Sequence, residues 1–349
     1  MSEPVPFPWP TPALVVPHSR VERPAVPAVD AHNHLSDEFG AGWFRRDPAE
    51  LAAMLDRVGV TTLIDMDGAW GADVLDQRLS VFKTALGPRY EVCTGIDWSR
   101  WMEKGTGFGA WAAQRFERDA ERGAVGIKIW KPFGLEVTDH TGTLVPIDTE
   151  QLDEVWETAA RIDVPVVVHV ADPVAFFDPV DEYNERSDEL ARHPEWAFSG
   201  ERYPSFDALM TQFESLIARH PETTFVGAHV GCYAENLGWV GRMLDRYPNF
   251  NVDIAARLGE LGRQPYSARR LFMDHADRIL FGLDDPSSDE LYRTYYRFLE
   301  TADEHFDYGV DERPGQGRWR IYGIDLSQDV LEKVYRTNAE RIFRLGSSS

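Results

Sequence analysis

The chain has 349 residues, 43% of them hydrophobic and 27% charged, with a formal net charge of -22. Such length and apolar content can supply one large α/β core or two smaller ones, while the acidic excess opposes nucleic acid and anionic membrane surfaces as main partners, because long-range repulsion hinders both encounters. Two cysteines, Cys93 and Cys232, stand far apart in no ligand spacing, so no disulfide framework is expected and a reducing compartment fits.

The chain opens on an arm. Prolines at 4, 6, 8, 10, 12, 17, 24 and 27 deny residues 1–25 regular structure. The arm has no basic stretch leading into an apolar run, and nowhere do apolar residues approach an uninterrupted span of about 18. A soluble, cytoplasmic protein is the expectation.

From residue 26 onward strands and helices alternate. Strand candidates fall at 27–32, 60–65, 90–96, 125–130, 164–169, 223–228, 250–254 and 278–282. Amphipathic helical stretches lie at 48–58, 73–86, 111–122, 151–162, 206–219, 237–247 and 267–275, and a closing helix at 327–344. This order predicts an α/β fold with a parallel sheet closed into a (β/α)8 TIM barrel over 26–349. No Gly-rich phosphate motif appears, so a nucleotide-binding doubly wound sheet lacks its signature. The connection after the fifth strand, 171–205, is long and aromatic (Phe176, Phe177, Tyr183, Trp196, Phe198, Tyr203), and it reads as a lid-like insertion. A second long segment, 303–322, contains Gly315-Gln316-Gly317-Arg318-Trp319-Arg320 and either covers the barrel mouth or braces the last helix.

The chemistry gathers where predicted strands end. Val29-Asp30-Ala31-His32-Asn33-His34 places two imidazoles at i and i+2, on one face of a strand, where both can grip one ion. His169, His229 and Asp284 close the fifth, sixth and eighth apolar runs, and strand ends are where active sites form in this barrel. His18, His140, His193, His220, His275 and His305 lack that placement and read as core or surface residues. Lys128 lies inside a buried-type strand, where an unpaired ammonium is costly. Arg257 follows the seventh strand, Trp130 and Lys131 the fourth, Gly68 and Trp70 the second. A guanidinium at the mouth suits a carboxylate, and the aromatic residues suit a planar ring or a sugar.

With these residues in place the sequence resembles the amidohydrolase superfamily, in the branch of aminocarboxymuconate-semialdehyde decarboxylase-like metal-dependent hydrolases. The resemblance implies that His32, His34, His169 and Asp284 hold a divalent ion, zinc by default and manganese next, which lowers the pKa of bound water toward about 7. It makes Asp284 the catalytic proton carrier and gives His229 the task of orienting water or polarising the substrate. In binuclear relatives a strand-four lysine is carboxylated and bridges two ions, so Lys128 and His229 could hold a second metal; otherwise Lys128 faces substrate with Arg257, Trp130 and Lys131. The leading expectation is hydrolysis of a C–O or C–N acyl bond, as in a lactone or amide, of a small and carboxylated molecule. Non-oxidative decarboxylation of an aromatic or unsaturated acid is the alternative, and a non-catalytic metal-binding scaffold a third. The partner expected is a small-molecule substrate, and the arm and aromatic insertion make a homo-oligomer a reasonable expectation.

Overall fold

The computed structural model describes residues 12–36, 42–68, 74–286, 288–309 and 316–346. Trp70, Asp73, Gly315 and the first eleven residues of the arm lie outside them.

Eight parallel strands follow one another in sequence order around the sheet. They are β1 (Ala28–Asn33), β2 (Val60–Asp65), β3 (Tyr90–Gly95), β4 (Gly126–Ile129), β5 (Val166–Val168), β6 (Phe225–Gly227), β7 (Phe250–Asp253) and β8 (Ile279–Leu280). The last strand returns to the first. Ala31 N donates to Phe281 O at 2.9 Å, Asp284 N to His32 O at 2.7 Å and His34 N to Asp284 O at 3.1 Å. These bonds complete a (β/α)8 TIM barrel, and they place the two ends of the candidate metal motif side by side.

The strands are short and apolar because both faces are covered, by helices outside and by packed side chains within. Val29, Ala31, Ile64, Cys93, Val167, Val226 and Leu280 form an inner apolar cluster together with Ile342 and Phe343 of the C-terminal helix. Phe343 lies against Gly126 at the start of β4, so this helix seals the end of the barrel where strands begin. Polar chemistry is thereby confined to the opposite rim.

Helix boundaries follow local signals. The helix Pro48–Val58 begins with an Asp47 cap and a proline in its first turn and ends on left-handed Gly59, while Phe206–Arg219 is capped by Ser205. One helix, Asp289–Glu300, was not expected from periodicity. Its buried stripe is built from Tyr292, Tyr295, Tyr296, Phe298 and Leu299, and tyrosine dilutes an apolar pattern. The hydroxyls are satisfied: Tyr292 donates to Asp30 at 2.6 Å, Tyr296 donates to Val58 O at 2.9 Å, and Tyr295 accepts from Ala256 N at 2.9 Å. Asp30 is thus tied to the outer helix and to Leu283 N at 3.1 Å.

The described part of the arm has no regular structure and runs along the same helix. Ser19 binds Asp303 through its backbone N–H at 2.6 Å and its hydroxyl at 2.9 Å, and Ala25 N donates to Glu300 at 3.0 Å. The 171–205 insertion holds a short helix, Ser187–Arg192, and two single turns. No helix among the described residues is long and apolar enough to cross a membrane.

Candidate metal centre and substrate cleft

Asp284 is the hub of the site. Its Oδ1 lies 3.3 Å from His32 Nε2, 3.4 Å from His34 Nε2 and 3.9 Å from His229 Nε2. The i, i+2 spacing at the end of β1 therefore does what strand geometry demands, turning both rings of His32 and His34 to one carboxylate. Among the described residues His32, His229 and Asp284 offer ligand atoms that all lie within 4.8 Å of one another. Two nitrogens and an oxygen at that separation suit a divalent transition-metal ion.

His169 joins the group from β5, its ring 4.4 Å from that of His229. Its Nε2 points to Asp172 Oδ1 at 3.2 Å, and Asp172 in turn accepts from Lys131 Nζ at 2.5 Å. The sequence reading put His169 in the first ligand set and gave His229 a water-orienting task or a place at a second ion; in the structure His229 stands in the tight triad and His169 borders it. Side-chain rotamers, which strand-end placement does not specify, make that difference.

Each ring is held from behind by a partner that orients it. His32 Nδ1 donates to Asp253 Oδ2 at 2.8 Å, His34 Nδ1 to Asp67 Oδ1 at 2.7 Å and His229 Nδ1 to Ala255 O at 2.9 Å. Asp253 Oδ1 also accepts from the backbone N–H groups of His229 and Ala255, at 2.9 and 3.0 Å. One carboxylate on β7 thus ties β1 to β6. Neither Asp67 nor Asp253 stood out in the sequence, although a carboxylate at the end of a predicted buried strand, as Asp253 is, was a usable signal.

The protonation states of His32, His169 and His229 suit ligation, whereas His34 must give up a proton before it can bind an ion. Burial, with the nearby Lys128 ammonium, pushes the His32 imidazole down, and burial alone dominates in lowering His169 to about 4. Burial and the neighbouring His169 hold His229 well below its ordinary value. These rings are neutral and keep a lone pair. Burial also opposes charge on His34, but Asp67 and Asp284 outweigh it and raise its pKa to about 9. At Asp284 burial works against ionisation, and the imidazoles of His229, His34 and His32 overcome it, holding the carboxyl well below the usual carboxylate range.

Backbone strain marks the same place. His229, Val230 and Cys232 have φ of 57°, 60° and 60°, and Asp284 has φ 80°. Left-handed conformation is unfavourable for non-glycine residues and worst for a β-branched one such as Val230. Gly227 permits the turn, since a Cβ there would stand 2.8 Å from Gly231 Cα.

Lys128 projects from β4 into the barrel and donates from Nζ to His32 Nε2 at 2.9 Å. It is fully buried, and burial pushes its pKa down despite Asp253 and Asp284. Cys232, three residues beyond His229, is buried, and burial raises its thiol above the ordinary value, so it packs rather than reacts.

Above this centre lies a cleft of about 350 Å³ bordered by His34, Trp130, Lys131, His169, Asp172, Phe176, Arg186, Trp196, His229, Arg257 and Asp284 among others. The Trp130 ring lies 4.7 Å from that of His34, tilted by 45°. Arg257 is 5% exposed. Its Nη1 donates to Ala256 O at 2.9 Å, its Nε has no partner, and no carboxylate pairs with it among the described residues. Phe176, Arg186 and Trp196 come from the 171–205 insertion, so that segment builds a wall of the cleft.

Comparison with known proteins agrees with this fold. The fold is similar to a 2,6-dihydroxybenzoate decarboxylase complexed with 2,6-dihydroxybenzoate, with 16% identity, TM-score 0.55 and coverage of 94% of this chain and 100% of the other. A dihydroxybenzoic acid decarboxylase from Polaromonas sp., with bound manganese and the inhibitor 2-nitroresorcinol, gives 14% identity, TM-score 0.57 and coverage of 95% and 98%. A 5-carboxyvanillate decarboxylase from Novosphingobium aromaticivorans, complexed with manganese and 4-hydroxy-3-methoxy-5-nitrobenzoic acid, gives 13% identity, TM-score 0.51 and coverage of 92% and 97%. At such identities the likeness speaks for the fold. No curated protein sequence matches the chain. The family model described as amidohydrolase matches residues 29–345, from the first strand to the C-terminal helix, and the chain therefore belongs to the amidohydrolase superfamily of metal-dependent enzymes.

Proposed function

We propose that this protein catalyses metal-dependent, non-oxidative decarboxylation of a small aromatic or unsaturated carboxylic acid. The observation that carries the reading is the buried guanidinium of Arg257, which makes no direct ion pair among the described residues, on an aromatic-bordered cleft directly above the imidazole and carboxylate cluster. Glu189, Glu235 and Glu260 balance its charge only at longer range, and a substrate carboxylate supplies a direct partner. Trp130, Phe176 and Trp196 offer flat apolar surface for a ring. The similarity to three decarboxylases of aromatic acids favours this reading over hydrolysis, the leading expectation from sequence.

A manganese or zinc ion would be held by His32, His229 and Asp284, with His34 and His169 bordering them, and would polarise substrate oxygens. Decarboxylation breaks the bond between ring carbon and carboxylate, leaves the electron pair on carbon, releases carbon dioxide and consumes one proton. Asp284, which borders the cleft, is the group placed to carry that proton. Arg257 and Trp130 orient the acid, and Asp253 and Asp67 keep the rings of His32 and His34 in the productive tautomer.

Hydrolysis of a lactone or amide is supported by one observation of its own, the strongly ionised Asp284 carboxylate among imidazoles, which suits a general base. Manganese- or zinc-loaded protein offered a panel of hydroxybenzoates, lactones and amides separates the two. Release of carbon dioxide from an aromatic acid, lost in Asp284→Asn, is expected; acid release from lactones or amides without carbon dioxide would replace the reading with hydrolysis.

A further inference from the structure

The loop after β7 holds a strained turn whose place on the cleft the metal chemistry does not explain. Residues 254–257 form it, closed by Arg257 N donating to Ile254 O at 3.3 Å. Ala256, the third residue of the turn, has φ 54°, in the left-handed region that a Cβ disfavours and where turns ordinarily place glycine or asparagine. Strain of this kind persists only where the surroundings over-determine the backbone.

Side-chain bonds do so here. The peptide group between Ala255 and Ala256 is gripped at both ends: its carbonyl accepts from His229 Nδ1 at 2.9 Å, and its N–H donates to Tyr295 Oη at 2.9 Å. Asp253 Oδ1 holds the N–H of the preceding peptide at 3.0 Å, and the carbonyl of the following one, Ala256 O, accepts from Arg257 Nη1 at 2.9 Å. The left-handed φ of Ala256 is therefore the joint between a fixed peptide and the one to which the Arg257 guanidinium is tied. His229, Asp253 and Arg257 belong to the metal centre and cleft. Tyr295 does not; it comes from the outer helix Asp289–Glu300, is 2% exposed, and meets Phe281, just beyond β8, edge to face with ring centroids 5.9 Å apart.

Both Ala256 and Arg257 border the cleft. Were Ala256 to relax to a right-handed or extended backbone, the peptide carrying Arg257 would rotate and take the guanidinium with it. Packing fixes the Tyr295 ring, so its hydroxyl holds the Ala256 N–H against that relaxation. We propose that Tyr295 is a positioning residue for substrate binding: by keeping the 254–257 turn left-handed it aims the Arg257 guanidinium at the place of the substrate carboxylate before the substrate arrives. The proposal rests on the carboxylic-acid reading above. It makes the arginine a preorganised recognition group, whose alignment costs nothing at the moment of binding.

Calorimetric titration of the manganese-loaded protein with benzoate tests it. Tyr295→Phe keeps the ring and removes the acceptor, so benzoate affinity is expected to fall about fivefold, the worth of one hydrogen bond. Because Tyr295 acts through Arg257, the same substitution in an Arg257→Met background is expected to change the affinity by less than about twofold. Glycine adopts the left-handed conformation without penalty, so Ala256→Gly added to Tyr295→Phe is expected to restore most of the loss. Unchanged affinity in folded Tyr295→Phe, or an equal fall in the Arg257→Met background, overturns the positioning role and leaves the carboxylic-acid reading intact. Should Tyr295→Phe fail to fold, as judged by its thermal melt, hydrogen exchange of the wild-type segment 254–258 decides. Protection already present without benzoate is expected, and protection that arises only when benzoate is added overturns the preset turn. No binding of benzoate to the wild type overturns the carboxylic-acid reading and the aim assigned to Arg257 together.

Discussion

Asp253 is the best single lever on the metal centre, because one carboxylate performs three tasks. Its Oδ2 receives the His32 Nδ1 proton at 2.8 Å, and its Oδ1 receives the backbone N–H groups of His229 and Ala255 at 2.9 and 3.0 Å. Asp253→Asn keeps the shape. The amide oxygen can retain both backbone donors, which leaves the NH2 facing His32 Nδ1. Two N–H groups cannot point at each other, so the ring must carry its proton on Nε2, the atom 3.3 Å from Asp284 Oδ1. That tautomer has no lone pair to give a metal ion. Changes to residues that orient ligands cost about 10–100-fold in metal affinity, or about 1.4–2.8 kcal/mol. Competition against a chelating dye, with metal content measured after gel filtration and the fold checked by circular dichroism, gives the number. A folded variant whose metal affinity falls by less than about threefold would refute the tautomer argument. Asp67→Asn poses the same problem for His34, although there the other carboxylate oxygen holds Ser36 N at 2.8 Å.

Two further outcomes are expected. Arg257→Met removes a buried cation that makes no direct ion pair and acts on Glu189, Glu235 and Glu260 only at longer range, so the apo-protein should lose little stability in urea titration, while affinity for benzoate falls by about 2 kcal/mol or more; a clear loss of stability with unchanged benzoate affinity would assign the guanidinium a structural role. Asp30 is pushed up to about 7, above all by burial, against the opposing hydrogen bonds from Tyr292 and Leu283. A carboxyl whose pKa is raised on folding contributes stability that is full below its unfolded pKa near 4 and is lost as pH rises through about 7. Asp30→Asn removes that titration, so relative to wild type the variant should gain stability steadily between pH 4 and pH 7. Chemical denaturation across that range checks the slope, and a pH-independent difference would show that Asp30 does not titrate there.

The barrel was legible because its strands are buried on both faces and separated by amphipathic helices, a pattern that survives without knowledge of contacts. All eight strands lie where apolar runs placed them, and the helix Pro48–Val58 carries its stop and start signals locally. The helix Asp289–Glu300 escaped because tyrosine forms its buried face, and whether a tyrosine is buried depends on a partner such as Asp30, more than 250 positions away. The site was legible for a related reason. Strand ends converge at one rim of any closed barrel, so His32, His34, His169, His229 and Asp284 could be grouped by position alone.

Sequence alone therefore determined which side chains reach the rim, since strand periodicity and barrel closure leave a residue at a strand end little choice of direction. Only the tertiary structure decided how they divide the work. The placing of His229 beside His32 and Asp284, the turning of His169 toward Asp172, the backing of His32 by Asp253 and the leaving of Arg257 without a direct ion pair all depend on torsions and long-range contacts. Rotamers and hydrogen-bond partners are settled by packing between segments distant in sequence, and no local pattern of residues encodes that packing.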